Sequence, residues 1–213
     1  MTDHNFKNLT VVQHPVIDRD LTFLRNRNTE TSTFRRVLER VSIILAYHAL
    51  SDLKVKSREV ETPIQKTQGF ELDEQVIVIP ILRAGLGLVD SVIRFIPDAK
   101  IGHLGMYRDE ETKKPIDYYS NLPKGLDKAY VLLVDPMLAT GGSACDALGF
   151  LKKNGATNIH FMSLIAAPEG IARVEKEYPD VQLITAALDE KLNDEAFIVP
   201  GLGDAGDRIF GTE

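Results

Sequence analysis

Between Tyr130 and Ser143 the chain reads Tyr-Val-Leu-Leu-Val-Asp-Pro-Met-Leu-Ala-Thr-Gly-Gly-Ser, an apolar run ending on an acid, then a turn of small side chains. From Ala139 to Ser143 successive backbone N–H groups can converge on one anion, because small residues and glycines let the main chain approach closely. Ser143 adds a hydroxyl that could N-cap a following helix and bring the positive end of its dipole to the same place. This is the chemistry of a phosphate cradle without a lysine, and Asp135 lies beside it as an acceptor. The alternative is an ordinary strand-turn-helix connection whose glycines only relieve crowding.

A second candidate is Arg83-Ala84-Gly85-Leu86-Gly87, a cation followed by a glycine turn directly after another apolar run. It suits a second anion contact, although an arginine at the end of a strand can equally well be a surface residue. Cys145 falls just after the cradle, where a helix dipole would lower a thiol pKa. No Cys-His pairing accompanies it, and a small buried cysteine is the favoured reading. His4, His14, His48, His103 and His160 are scattered without metal-ligand spacing, so a structural zinc site is not supported.

These groups need elements to hold them. Val131 to Val134 and Gln75 to Leu82 are continuous, β-branched runs of the kind covered on both faces in a parallel sheet. Asp135 and Arg83 would then sit at carboxyl ends of strands, where open α/β sheets bind ligands. Phe34, Val37, Leu38, Val41, Ile44, Leu45 and His48 recur at helical spacing after possible N-cap hydroxyls at Thr31, Ser32 and Thr33, with His48 read as a core histidine. Val55 to Pro63 reads as a strand or extended arm, and Ala99 to Tyr107 as a strand. The polar, turn-rich stretch that follows, from Arg108 through Pro115 to Lys128, suggests a protruding hairpin, either a flap over a charged substrate or a solvated loop. A helix from Ala144 to Asn154 stops at Gly155. Ile159 to Ala166 is a strand, Glu169 to Glu177 a helix and Val181 to Ala187 a strand. Alternating strands and helices predict an α/β fold with a central parallel sheet and right-handed crossovers.

The chain of 213 residues is read as a single domain, 1–213, with 1–30 as an N-terminal arm carrying a short helix and 189–213 as a terminal segment. At 44% hydrophobic and 26% charged it falls with ordinary soluble proteins, and no run is long enough to span a bilayer. A single cysteine and no cationic-then-apolar start suggest a cytoplasmic protein. A net charge of −6 without a basic tract argues against broad nucleic-acid binding. Gly201, Gly203 and Gly206 match the spacing of a dinucleotide fingerprint, but too little chain follows for the required helix, strand and distant acid. A glycine-rich loop here can instead offer backbone donors and acceptors to a flat ligand, anchored by Ile209-Phe210.

With these pieces in place the chain resembles the uracil phosphoribosyltransferase family over essentially its full length. The resemblance rests on Asp135 to Ser143, on Pro80-Ile81-Leu82-Arg83-Ala84-Gly85-Leu86-Gly87 and on Val199-Pro200-Gly201-Leu202-Gly203-Asp204-Ala205-Gly206-Asp207. It implies the type I phosphoribosyltransferase fold, with a β-hairpin flap and a small hood from the terminal segments. It also implies formation of UMP and diphosphate from uracil and 5-phosphoribosyl 1-diphosphate (PRPP), with Mg²⁺ on the diphosphate. By the same resemblance Asp135, Pro136, Met137, Leu138, Ala139, Thr140, Gly141, Gly142 and Ser143 hold PRPP, with Ala139 to Ser143 around the 5-phosphate and Asp135 at the ribose hydroxyls. Arg83 and Arg108 hold the pyrophosphate and, with Asp135, carry the catalysis. Ile198, Gly203, Asp204 and Ala205 read uracil, and Asp204 also approaches PRPP. Most type I members have two adjacent acids in the PRPP motif, whereas Pro136 follows Asp135 here, as in the uracil enzymes. Phe197 stands where tyrosine is common, which puts a phenolic contact in doubt. The resemblance implies GTP activation for some members only. The apolar arm and long first helix suggest a homodimer or higher homo-oligomer. The rival readings are a nucleotide-sensing RNA-binding regulator on the same fold and a transferase for another base.

Overall fold

The computed structural model describes residues 6–108 and 115–212, and the side chains of 106–108 and 115–118 lie outside that description. In chain order the elements are β1 (Leu9–Val11), α1 (Pro15–Arg25), α2 (Thr31–Ala49), β2 (Val55–Glu61), β3 (Lys66–Leu72), β4 (Val76–Pro80), α3 (Leu86–Phe95) and β5 (Lys100–Ile101). There follow β6 (His103–Arg108), β7 (Pro115–Asn121), a single 3₁₀ turn, β8 (Tyr130–Val134), β9 (Met137–Leu138) and α4 (Gly142–Lys153). The chain closes with β10 (Asn158–Ala166), α5 (Pro168–Glu177), β11 (Gln182–Leu188), β12 (Lys191–Leu192), β13 (Ile198–Val199) and α6 (Ala205–Phe210).

The main sheet has the order β1-β11-β10-β8-β4-β5, with β9 added to β10, and every pairing in it is parallel. The expected parallel α/β architecture is therefore present. All five residues of β4 and all five of β8 are buried, because each strand has a neighbour on both edges and helices on both faces. Their side chains alternate between two cores. Val76, Val78, Leu132 and Val134 join the core built with Phe34, Leu38, Val41 and Leu45 of α2, whereas Ile77, Ile79, Val131 and Leu133 join Ala147, Leu148 and Leu151 of α4. Each fully buried aliphatic side chain contributes ~1.5–3 kcal/mol, so the two apolar faces outweigh any local preference of these short runs.

Several expectations change. Helix α2 is N-capped by Glu30, without a side-chain bond, and Thr31 is already helical, so the hydroxyls of Thr31, Ser32 and Thr33 are not its cap. His48 is exposed and meets Tyr47 edge-on rather than entering the core, because the buried stripe of the last turn runs through Leu45, Ala46 and Ala49 and leaves position 48 beside it. The N-terminal arm includes β1, an edge strand of the main sheet paired with β11. Val55 to Glu61 is one arm of a two-stranded antiparallel hairpin whose return strand, β3, has no apolar alternation to announce it. The strand expected from Ala99 to Tyr107 breaks at Gly102. β5 stays in the sheet while β6 leaves it to pair with β7, which makes a second antiparallel hairpin at the predicted place. Asp109, Glu110, Glu111, Lys113 and Lys114 lie outside the described residues.

Candidate active site

Asp135 follows β8, and its backbone N–H donates to the Met162 carbonyl of β10 at 3.2 Å, which fixes it at the carboxyl edge of the sheet. The Pro136 carbonyl accepts from Leu164 and Ile165, and Ala167 N–H donates to Leu138 O at 2.9 Å, so the chain runs on along β10 before turning. Met137 and Leu138 are thus a strand, β9, rather than part of a loose turn. The loop then comprises Ala139, Thr140 and Gly141.

Helix α4 opens from Gly141, whose φ of +75° is reached without strain only by glycine, so Gly141 is the N-cap and Ser143 is an exposed residue inside the first turn. The cap assigned to Ser143 is corrected accordingly. First-turn amides of an α-helix have no intrahelical acceptor. Thr140 Oγ1 accepts from Gly142 N–H at 3.3 Å, a local bond that folds the loop back onto the helix start. The loop rests on α5, where the Gly170 Cα lies so close that a Cβ would stand 2.4 Å from Ala139 O. This packing presents amides, a hydroxyl and a helix dipole at one point, as an anion requires.

Asp135 is half-buried and its Oδ1 accepts weakly from Met137 N–H at 3.4 Å. Burial pushes its carboxyl up to about 7, with the Met137 contact opposing and the nearby Asp204 charge adding to the rise. At neutral pH the group can therefore both donate to and accept from a sugar hydroxyl. Cys145 is buried, and burial followed by the Glu177 charge pushes its thiol up to about 12. Burial outweighs any dipole effect on this thiol.

The Arg83 turn leaves β4 beside β8, with Ile81 N–H donating to Val134 O at 3.0 Å. The Arg83 side chain is 63% exposed and approaches Asp207 Oδ1 at 3.7 Å, with its guanidinium 5.8 Å from the Phe210 ring centroid. It is a weakly held cation at the same sheet edge as Asp135. Arg108 ends β6, paired through its backbone with Pro115, and its side chain lies outside the described residues.

The terminal segment arches back to this edge. Ile198 is buried in β13, Gly203 and Asp204 are exposed, and Ala205 begins α6. Asp204 N-caps α6 through Asp207 N–H at 3.0 Å, and Ile209 is buried in the core on the α2 side, which anchors the segment as anticipated. The short α6 after Gly203 has no returning strand behind it, so the dinucleotide reading has no structural counterpart. Phe197 is 44% exposed beside this loop.

The structure thus brings Arg83, Asp135, the 139–143 loop and the 198–205 segment to one side of the sheet. What sequence reasoning missed is the apparatus behind the terminal loop, namely Arg25, Asp189 and Arg208. Arg208 Nη1 donates to Leu202 O at 2.8 Å and to Leu24 O, its Nη2 to Asn26 O at 2.7 Å, and it lies 4.4 Å from the Phe34 ring centroid. Asp189, like Asp135, is an acid directly after an apolar strand, the signal that could have singled it out.

Comparison with known proteins matches this arrangement. The family model described as uracil phosphoribosyltransferase matches residues 11–212. A uracil phosphoribosyltransferase of Salinibacter ruber is 53% identical over 206 residues, covering 97% of this chain and 98% of the relative. One of a Geobacillus species is 52% identical over 204 residues, covering 95% and 98%. The solved structure of the AQ2163 protein from Aquifex aeolicus superposes with a TM-score of 0.90 at 37% identity, covering 96% of this chain and 99% of that one. With a family model reaching from β1 to the end of α6, and relatives at half identity over nearly their whole lengths, the chain belongs to the uracil phosphoribosyltransferase family.

Proposed function

We propose that the protein converts uracil and PRPP to UMP and diphosphate. The observation that carries the reading is the convergence of the Gly141-capped loop, Asp135 and the terminal backbone loop at one sheet edge. The bond from ribose C1 to the diphosphate oxygen breaks, a bond from C1 to uracil N1 forms on the opposite face, and the N1 proton is released. The protein's part is alignment, worth up to ~7–11 kcal/mol in ideal geometry, and placement of charge. Ala139, Thr140, Gly141, Gly142 and Ser143 take the 5-phosphate, and Asp135 takes the ribose hydroxyls through a carboxyl that need not be ionised beside a polyanion. Arg83 and Arg108 take the departing pyrophosphate, and Arg83 is free to do so because its exposed ion pair with Asp207 is weak. No covalent nucleophile is needed.

Among the described residues no group of three or more His, Cys, Asp or Glu side chains could hold a metal ion. In this reading Mg²⁺ would arrive on the diphosphate of PRPP and supply charge neutralisation there. Backbone groups of Ile198, Gly203, Asp204 and Ala205 match the acceptor-donor-acceptor edge of uracil, and cytosine's amino group would meet a donor. A buried mismatch costs ~1–3 kcal/mol per unsatisfied group. The test is a base panel of uracil, cytosine, hypoxanthine and adenine with PRPP and Mg²⁺. UMP formation with little CMP is expected, whereas comparable turnover of cytosine, or turnover of a purine alone, would overturn the assignment.

We extend the proposal to a homodimer or larger assembly. It is supported by exposed Val55, Ile64 and Phe70 on the β2–β3 hairpin and by Tyr47 and Phe95 packed edge-on at 6.1 Å on the α2–α3 surface. A monomer mass in sedimentation would refute this. The 1–213 span is proposed as one domain working in the cytoplasm, and no described helix is long and apolar enough to cross a membrane. GTP is a candidate activator, checked by titrating it into the same assay.

A further inference from the structure

The terminal loop that the proposed function uses to read the base is held from behind by a pair of side chains with no contact to substrate in that reading. Arg25 ends α1 and Asp189 follows β11, so a guanidinium from the N-terminal helix meets a carboxylate at the sheet edge. Arg25 Nη2 donates to Asp189 Oδ1 at 2.6 Å, and Nη1 donates to Asp189 Oδ2 at 2.8 Å. Both partners also grip the same residue of the loop. Arg25 Nη1 donates to the Gly201 carbonyl at 2.9 Å, while Gly201 N–H donates to Asp189 Oδ2 at 2.9 Å.

Gly201 is the point at which this grip matters. Its φ is +63°, and an added Cβ would lie 2.1 Å from Ile198 O, so the chain folds tightly back over Ile198 before reaching Gly203. Fixing both polar groups of Gly201 fixes the direction in which the next peptides emerge. Asp189 is 7% exposed and the Arg25 side chain 25%, so solvent screens the pair little and the bidentate geometry is stiff. Asp189 is itself tied to the sheet, its N–H donating to Ala166 O at 2.8 Å. The scaffold of the loop is therefore the main sheet, reached through one ion pair.

We propose that Arg25 and Asp189 are positioning residues for base recognition, which set the backbone groups of Gly203 to Ala205 in register with the base edge and leave the PRPP side of the site alone. The proposal rests on the uracil-reading function. A lysine at 25 keeps the charge but cannot donate in parallel to Asp189 and bond the Gly201 carbonyl. An asparagine at 189 loses the charge and turns one acceptor into a donor facing Arg25.

The test uses the full-length protein, as wild type, Arg25→Lys and Asp189→Asn. Steady-state kinetics with uracil, cytosine and PRPP are combined with hydrogen exchange at the Gly201 amide. Both variants are expected to raise KM for uracil by about tenfold, the ratio worth ~1.4 kcal/mol, with KM for PRPP within about twofold of wild type. They should also narrow the uracil-to-cytosine preference and speed Gly201 exchange. Unchanged KM for uracil, or equal rises in both KM values, overturns the proposal. Loss of the fold in both variants also overturns it, since the pair would then hold the whole molecule and not the loop. If the wild type forms no UMP, the function fails by itself, and Gly201 exchange in the variants still decides whether the pair orders the loop.

Discussion

Replacing Asp135 by asparagine separates what its carboxyl does for the fold from what it does in the reaction. In the folded protein burial, reinforced by Asp204, holds this carboxyl at about 7 instead of 3.8. One pH unit of difference is worth ~1.36 kcal/mol, so about three units bound the penalty for an ionised Asp135 at ~4 kcal/mol. The sign follows from the protons bound. Between about pH 4 and pH 7 the folded protein binds more protons at this site than the unfolded chain, so the site's contribution to stability falls as pH rises and levels off above the folded pKa. An amide does not titrate and removes that slope. Entry of water and relaxation around the half-buried side chain lower the bound, and Asp135→Asn is expected to gain ~1–3 kcal/mol over wild type at about pH 8 and little at about pH 4. Urea unfolding followed by circular dichroism at the two pH values, without ligands, measures the difference. UMP formation by the same variant should fall sharply, because the ribose hydroxyls lose a carboxyl partner. A gain independent of pH, or a variant less stable than wild type at pH 8, would refute the argument that burial raises this pKa.

Other outcomes follow from the same geometry. Arg83→Ala should lower kcat at saturating PRPP while changing stability by no more than ~0.5 kcal/mol, since its ion pair is exposed; turnover near wild type would remove Arg83 from the catalytic set. Gly170→Ala should raise KM for PRPP and destabilise by more than ~1 kcal/mol, because the new Cβ would stand 2.4 Å from Ala139 O and push the phosphate loop outward. Unaltered PRPP kinetics would mean that the loop does not depend on that contact. Cys145 should resist iodoacetamide in the native protein at about pH 8, its thiol being held at about 12, and Cys145→Ala should retain UMP formation. Rapid alkylation of the folded protein would contradict its burial.

The parts of the fold that were legible are those whose stabilisation is local in sequence and uniform in kind. β4 and β8 announce themselves as unbroken apolar runs because each is covered on both faces, β10 as a mainly apolar run interrupted by His160 and Ser163, and α2 and α4 by periodicity because each buries one stripe. Capping was misread at Thr31 and Ser143, where a one- or two-residue shift of the helix start moves a hydroxyl from cap to first turn. The β2–β3 hairpin was half-seen because its strands are held mainly by backbone pairing with each other and almost every residue is exposed, which leaves no alternation to read.

For the site, the sequence by itself determined the chemistry of the groups. An acid ends one apolar strand, an arginine and glycine turn ends another, and a small-residue loop opens a helix, because those types are required wherever a backbone must approach an anion. Only the tertiary structure decided what surrounds them. The raised pKa of Asp135 comes from packing and from Asp204, a residue distant in the chain, and the raised pKa of Cys145 comes from burial that outweighs its place at a helix start. The Arg25–Asp189 pair joins residues 164 positions apart. Asp189 has the local mark of an acid after an apolar strand, but nothing local marks Arg25 as its partner, since an ion pair is specified by where two elements meet and not by the composition of either one.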